Sequence, residues 1–179
     1  MIKLTMVVIG GFFGDEGKGK IVSYLAMKDS VAATVRGGVG PNAGHTVIHQ
    51  GKKFKLRMIP SGILNESSKL MIGPGVLVNP NVLIEEARKY RLEKRILVDP
   101  QCAVIEEKHI LQDKQGYLKS RIGTTGTGTG PANSDRVLRS GKILNEIEST
   151  SSFLADIPLE VNRLIDEGKQ VLVEGTQGT

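Results

Sequence analysis

Residues 10–20 read Gly-Gly-Phe-Phe-Gly-Asp-Glu-Gly-Lys-Gly-Lys and follow directly on an apolar run, Lys3-Leu-Thr-Met-Val-Val-Ile9. The pattern predicts a short buried strand over 3–9, a glycine-dense loop, and a helix over roughly 17–28. Backbone N–H groups at such a junction point at whatever anion sits in the loop, and the helix dipole favours negative charge there. The first turn of this chain is therefore expected to hold a phosphate.

The loop resembles the phosphate-binding loop of nucleotide-hydrolysing proteins and departs from it twice. The strict pattern wants glycine five residues before the Gly17-Lys18 pair, where Phe12 stands, with Gly11 one place early. It also wants Ser or Thr after the lysine to hold magnesium, and this chain has Gly19. Another oxygen must then serve the metal, and Asp15 inside the loop is the obvious supplier. An acidic residue in a phosphate cradle repels phosphate unless a cation or a proton-transfer task justifies it.

Downstream, strands and helices alternate. Strands are expected at 31–36, 69–72, 95–98, 103–105 and 170–174, and a hairpin joins 47–49 to 53–57 through Gln50-Gly51-Lys52. Asn79-Pro80 marks the start of a helix running to about residue 91; further helices are expected at 106–118 and 152–168. Residues 120–142 read as a long Gly/Thr/Ser loop region. This order predicts an α/β fold with a mostly parallel central sheet flanked by helices, related to phosphate-loop nucleotide-hydrolase folds.

Composition limits the partners. The net charge of +5, from 24 basic and 19 acidic residues, is spread along the chain and suits anionic small molecules. With 4% aromatic residues and no Trp, stacking platforms for nucleic acid are scarce, so no nucleic acid partner is expected. The first apolar run is too short to span a membrane. The single cysteine, Cys102, fits a reducing cytosol and reads as buried and inert. A cytoplasmic location is expected. The chain stops in Glu174-Gly-Thr-Gln-Gly-Thr179, a tight glycine turn off a core strand. We therefore expect 1–179 to be a single nucleotide-binding domain, the N-terminal portion of a longer enzyme.

Four loops carry a more specific signal: Gly14-Asp-Glu-Gly-Lys-Gly-Lys20, Gly40-Pro-Asn-Ala-Gly-His-Thr46, Ile122-Gly-Thr-Thr-Gly-Thr-Gly-Thr-Gly-Pro131 and Glu174-Gly-Thr-Gln-Gly-Thr179. Together with Ile59-Pro-Ser-Gly-Ile63 they resemble adenylosuccinate synthetases, in the same order. The resemblance implies a GTP-dependent ligase that joins inosine monophosphate and aspartate through a 6-phosphoryl intermediate, with Mg2+, in purine biosynthesis.

By that resemblance Asp15 is the catalytic base at N1, His45 the acid near the β,γ-bridging oxygen, and Gln177 a catalytic residue that hydrogen-bonds the reacting purine. Gly14, Asp15, Glu16, Gly17, Lys18, Gly19, Lys20, Gly44, His45 and Thr46 form the GTP and metal cradle. Asp15 and the Gly44 carbonyl hold Mg2+. Asp15, Lys18, Asn42, Ala43, Gly44, His45, Thr125, Arg139 and Gln177 are substrate-binding, and Asn42 lies in the segment that lines inosine monophosphate. Thr125 contacts its phosphate, and Arg139 reaches that phosphate from the partner subunit of a homodimer. One departure stands in the third loop: Thr127 occupies the place where many members carry arginine, so the aspartate side of the site either lacks that contact or relies on a different basic residue.

Plainer roles stand beside these. Glu16 equally suits a carboxylate that complements a helix start. His49, in the hairpin, and His109, on a helix, are read as without a catalytic task. Arg139 could be an ordinary solvated arginine, and 124–129 a flexible linker. A different phosphate-loop ATP/GTP-dependent ligase or kinase would share the first loop but not Asn42-Ala-Gly-His-Thr46. A non-catalytic nucleotide-binding fragment is the remaining alternative.

Overall fold

A computed structural model describes residues 5–12, 14–115 and 123–175. Its centre is a five-stranded sheet in the order β1-β9-β2-β5-β7, formed by β1 (Met6–Val8), β9 (Val171–Glu174), β2 (Ala33–Arg36), β5 (Lys69–Ile72) and β7 (Ile96–Val98). Every pairing in it is parallel. The expected mostly parallel sheet flanked by helices is what forms.

Period-two alternation sets the two faces. Ala33, Val35, Met71 and Val171 pack with Ile157 and Leu164 of α5 (Ile157–Asp166). Leu172 of the alternate set packs with Val22 and Ala26 of α1 (Lys18–Lys28), while Leu70, Ile72, Ile96 and Val98 meet Leu83 and Ala87 of α2 (Pro80–Lys89). Arg36 and Glu174 belong to that second set by alternation. They therefore lie under α1, at the carboxyl ends of adjacent strands and in register with one another.

α2 begins as expected: the Asn79 side chain accepts the Val82 N–H at 3.1 Å, with Pro80 at the first helical position. The hairpin is β3 (His45–His49) against β4 (Lys52–Leu56). Its turn is two residues, Gln50 and Gly51, both at positive φ (47° and 76°), so β4 begins one residue earlier than expected, while β3 starts two residues earlier. The hairpin forms its own two-stranded sheet. β6 (Leu77–Val78) and β8 (Ala103–Val104) make a short parallel pair, of which only the second strand was anticipated.

Two expectations fail. Part of the supposed loop 120–142 is a helix, α4 (Thr129–Val137), lying against α3 (Glu107–Gln115). Its start is set by Gly128 in the left-handed region rather than by a side-chain cap. Pro131 is tolerated because the first turn has no intrahelical N–H bond to lose. The helix expected over 152–168 is split. A 3-10 segment, Glu148–Phe153, precedes an extended stretch, and α5 starts only where the Asp156 side chain accepts the Leu159 N–H. Of the expected strand 3–9, Met6–Val8 forms a strand; residues 3 and 4, and the expected end of helix 106–118, lie outside the described residues. Among the described residues no helix is long and apolar enough to cross a membrane.

Candidate active site

β1 ends at Val8 and the chain turns through the glycines into α1, whose N-cap is Gly17 at φ 80°. The loop opens on a cleft of about 500 Å³ lined by Gly14, Asp15, Glu16, Gly17, Lys18, Gly19, Lys20, Asn42, Ala43, Gly44, His45, Thr46 and Thr125. Three loops far apart in sequence thus converge, and every expected site residue in them lines one space. Asp15 is exposed there with a positive φ of 53°. The cleft sits above the carboxyl ends of β1, β9 and β2, the edge where open parallel sheets bind ligands.

Glu16 resolves into a definite contact. Its carboxylate accepts the Phe12 N–H at 2.7 Å and pairs with the buried ammonium of Lys18. The hydrogen bond from Lys18, then that from Phe12, holds the Glu16 carboxyl below its ordinary range.

His45 opens β3, and its ring is gripped from below. Nδ1 contacts the carboxylate of Glu174 and lies 2.9 Å from Ser61 Oγ. Ser61 in turn donates its N–H to Glu174 Oε2 and its hydroxyl to Oε1, each at 2.6 Å. Glu174 is fully buried. Burial pushes its carboxyl up, but the hydrogen bond from His45 and the charge of Arg36 outweigh it and hold the group below its ordinary value. Arg36, also fully buried, donates from Nη2 to the Ala43 carbonyl at 2.9 Å and so supports the loop that carries Asn42 and Gly44.

Gly19, the departure from the strict phosphate loop, has a steric reason. A Cβ there would stand 2.8 Å from the Cβ of His45 and 3.2 Å from Ser61 Oγ. The serine or threonine of the common pattern does not fit between α1 and the histidine.

The threonine loop is ordered by a buried carboxylate. Asp113 on α3 accepts Thr124 Oγ1 at 2.6 Å and the Gly128 N–H at 2.8 Å. Thr125 Oγ1 meets Thr127 Oγ1 at 3.0 Å, which meets Thr129 Oγ1 at 2.9 Å. Thr127, where arginine was expected from the resemblance, thus belongs to a hydroxyl chain that braces Thr125. The loop is anchored at both ends rather than a free linker. His109 has the structural role expected of it: Nδ1 accepts the Glu106 N–H and Nε2 pairs with Asp135. Cys102 is buried, its thiol pushed up to about 12 by burial and by Asp99.

Arg139 does not line the cleft. It is exposed just beyond the C-terminal end of α4, with φ 57°. Gln177 lies outside the described residues. Sequence reasoning missed Glu174, Ser61, Arg36 and Asp113. The usable signal was a charged residue closing each of two buried strands, Arg36 and Glu174.

A strand, glycine cradle and helix N-terminus on the carboxyl edge of a parallel sheet define an α/β protein built like the phosphate-loop folds. A family model described as adenylosuccinate synthetase matches residues 7–153, and the chain belongs to that family. It is 54% identical over 173 residues to the adenylosuccinate synthetase of Archaeoglobus fulgidus, covering 96% of this chain and 51% of that protein. It is 51% identical to that of Methanocaldococcus jannaschii, covering 97% of this chain and 51% of that protein. The chain therefore spans about half the length of the curated relatives it matches.

Among solved structures, the fully ligated adenylosuccinate synthetase of Plasmodium falciparum superposes with a TM-score of 0.89 at 24% identity, covering 97% of this chain and 51% of that one. A cyanophage S-2L succinoaminodeoxyadenylate synthetase, bound to dGMP and to dATP as an energy donor, superposes at 0.84 with 23% identity, covering 99% and 52%. Both likenesses speak for the fold alone.

Proposed function

We propose that this chain supplies the phosphate cradle and acid–base residues of a GTP-dependent ligase that makes adenylosuccinate from inosine monophosphate and aspartate. The observation that carries this reading is the convergence of Gly14–Lys20, Asn42–Thr46 and Thr125 on one cleft. The membership of the family supports it.

The 6-oxo group of inosine is a poor leaving group. Asp15 accepts the N1 proton, charge moves onto O6, and O6 attacks the γ-phosphate of GTP. The bond to the β,γ-bridging oxygen breaks and GDP leaves; the aspartate amine then attacks C6, loses a proton, and expels the 6-phosphoryl group as inorganic phosphate. Lys18 and the N–H groups of the α1 N-terminus hold the phosphates. His45 donates near the β,γ-bridging oxygen, where charge develops. Thr125 takes the phosphate of inosine monophosphate, Asn42 lines that nucleotide, and Gln177 bonds the purine. Arg139 completes the phosphate site of a second subunit in a homodimer, which suits its exposure and its absence from its own cleft.

Magnesium suits this donor set. The Asp15 carboxylate and the Gly44 carbonyl are hard oxygen ligands in the same cleft. Among the described residues no group of three or more His, Cys, Asp or Glu side chains could hold an ion, so phosphate oxygens would complete the shell. When bound, the ion neutralises charge on the β,γ-phosphates. The protein is read as a cytoplasmic enzyme of small molecules, acting on no nucleic acid or membrane.

The test is product formation. Full-length protein given GTP, magnesium, inosine monophosphate and aspartate should yield adenylosuccinate, followed by its ultraviolet absorbance, and omission of any component should abolish it. ATP and dATP run in parallel decide the donor. Absence of product with every donor overturns the reading.

A further inference from the structure

We propose that Glu174 is a positioning residue that acts through His45, holding the imidazole by Nδ1 so that Nε2 is presented to the phosphates in the cleft. The inference rests on the reading of His45 as the donor to the β,γ-bridging oxygen.

The hairpin that begins with His45 is not hydrogen-bonded to the central sheet as a strand. Its first residue is tied to that sheet through a side chain instead, from Nδ1 to the carboxylate at the end of β9. Glu174 is held hard. It pairs in register with Val8 on one side and Arg36 on the other, and it is fully buried. Ser61 bonds to both carboxylate oxygens, with N–H to Oε2 and Oγ–H to Oε1. Beside the ring, the backbone of Gly19 leaves no space: a Cβ there would stand 3.1 Å from the ring carbon Cγ and 3.2 Å from Ser61 Oγ. The imidazole is therefore held by the sheet and hemmed in by α1, and Nε2 is the nitrogen left to the cleft that His45 lines.

A buried carboxylate is an expensive way to finish a core strand. Replacement of buried ionic groups by apolar ones of similar volume is often neutral or stabilising. A carboxylate on Nδ1 has a function an apolar side chain cannot supply: it accepts a hydrogen bond from that nitrogen and so fixes which edge of the ring is turned to the cleft, as the triad carboxylate orients its imidazole. Ser61, shared by both groups, keeps the carboxylate from rotating away.

The experiment is a double-mutant cycle in the full-length protein with Glu174→Gln, His45→Asn and the pair, reading kcat and KM for GTP and inosine monophosphate. Glu174→Gln should lower kcat by roughly 10–100-fold, the range found for groups that orient an active ligand from behind. KM should change little, and in the His45→Asn background the second substitution should cost nothing further. Equal loss in both backgrounds would mark a merely structural role and overturn the inference. Wild-type kcat in Glu174→Gln, with His45→Asn impaired, overturns the positioning role alone. Wild-type kcat in His45→Asn overturns the reading of His45 and this inference with it. If Glu174→Gln does not fold, Ser61→Ala, which removes the hydroxyl shared by the same two groups, is carried through the same cycle and judged by the same outcomes.

Discussion

A Cβ placed on Gly19 would stand 2.8 Å from the Cβ of His45, so the first turn of α1 and the start of the hairpin meet without room for a methyl group. This contact explains why the chain abandons the hydroxyl that usually follows the phosphate-loop lysine. It also places the histidine directly beside the first turn of α1.

Gly19→Ala should therefore destabilise the protein although alanine favours helices. Forcing a methyl into a packed contact costs typically about 1–3 kcal/mol, against a helix-propensity gain of about 1 kcal/mol. Turnover should fall with it, because His45 must move. Urea unfolding with a steady-state assay checks both. A variant with unchanged stability and rate would show that α1 yields freely.

Asp15→Asn should abolish adenylosuccinate formation while GTP binding stays measurable. The amide keeps the shape but cannot accept the N1 proton, a loss of roughly 10²–10⁴-fold for one general base. Calorimetric titration of GTP beside a turnover assay separates the two. Near-normal turnover would exclude Asp15 as the base.

Asp113→Asn should act on the threonine loop rather than on chemistry. Asn retains one acceptor for the Thr124 hydroxyl and the Gly128 N–H, which now share two carboxylate oxygens. Leaving a buried donor unmatched costs about 1–3 kcal/mol. KM for inosine monophosphate should rise with kcat little altered, since Thr125 is carried by that loop. A fall in kcat at constant KM would contradict this.

Arg139→Ala should weaken inosine monophosphate binding through the partner subunit. Mixed dimers of Arg139→Ala and Asp15→Asn subunits should regain activity, since one hybrid site is then intact. No recovery in a demonstrated heterodimer would leave Arg139 as a solvated arginine.

Cys102 should resist alkylation in the folded protein at pH 8. Burial raises its thiol to about 12 and Sγ lies 3.1 Å from the Gly73 carbonyl. Because the folded state holds this proton more tightly than the unfolded chain, the associated stability is complete below the ordinary thiol value near 9 and is lost as pH rises from there toward 12. Labelling with a maleimide before and after urea unfolding, and urea midpoints across that pH range, test the point.

Local chemistry made much of this protein readable in its sequence. The cradle at 10–20 is spelled by glycines that the turn itself requires, the α2 start by Asn79-Pro80, and the hairpin by Gln50-Gly51, because each depends on backbone preferences of a few adjacent residues. The helix Thr129–Val137 escaped because its start is a left-handed glycine and its buried residues, Thr129, Pro131 and Ala132, look like loop. The anchoring of Thr124 and Gly128, on either side of Thr125, by Asp113 required α3 to pack beside α4. The grip on His45 required more still: β9 had to insert between β1 and β2, bringing Glu174 level with Arg36 and within reach of Ser61. No neighbour in sequence signals such a pairing. It arises only when apolar strands choose partners to bury their faces, and strand register then carries the charged residues at their ends into one place.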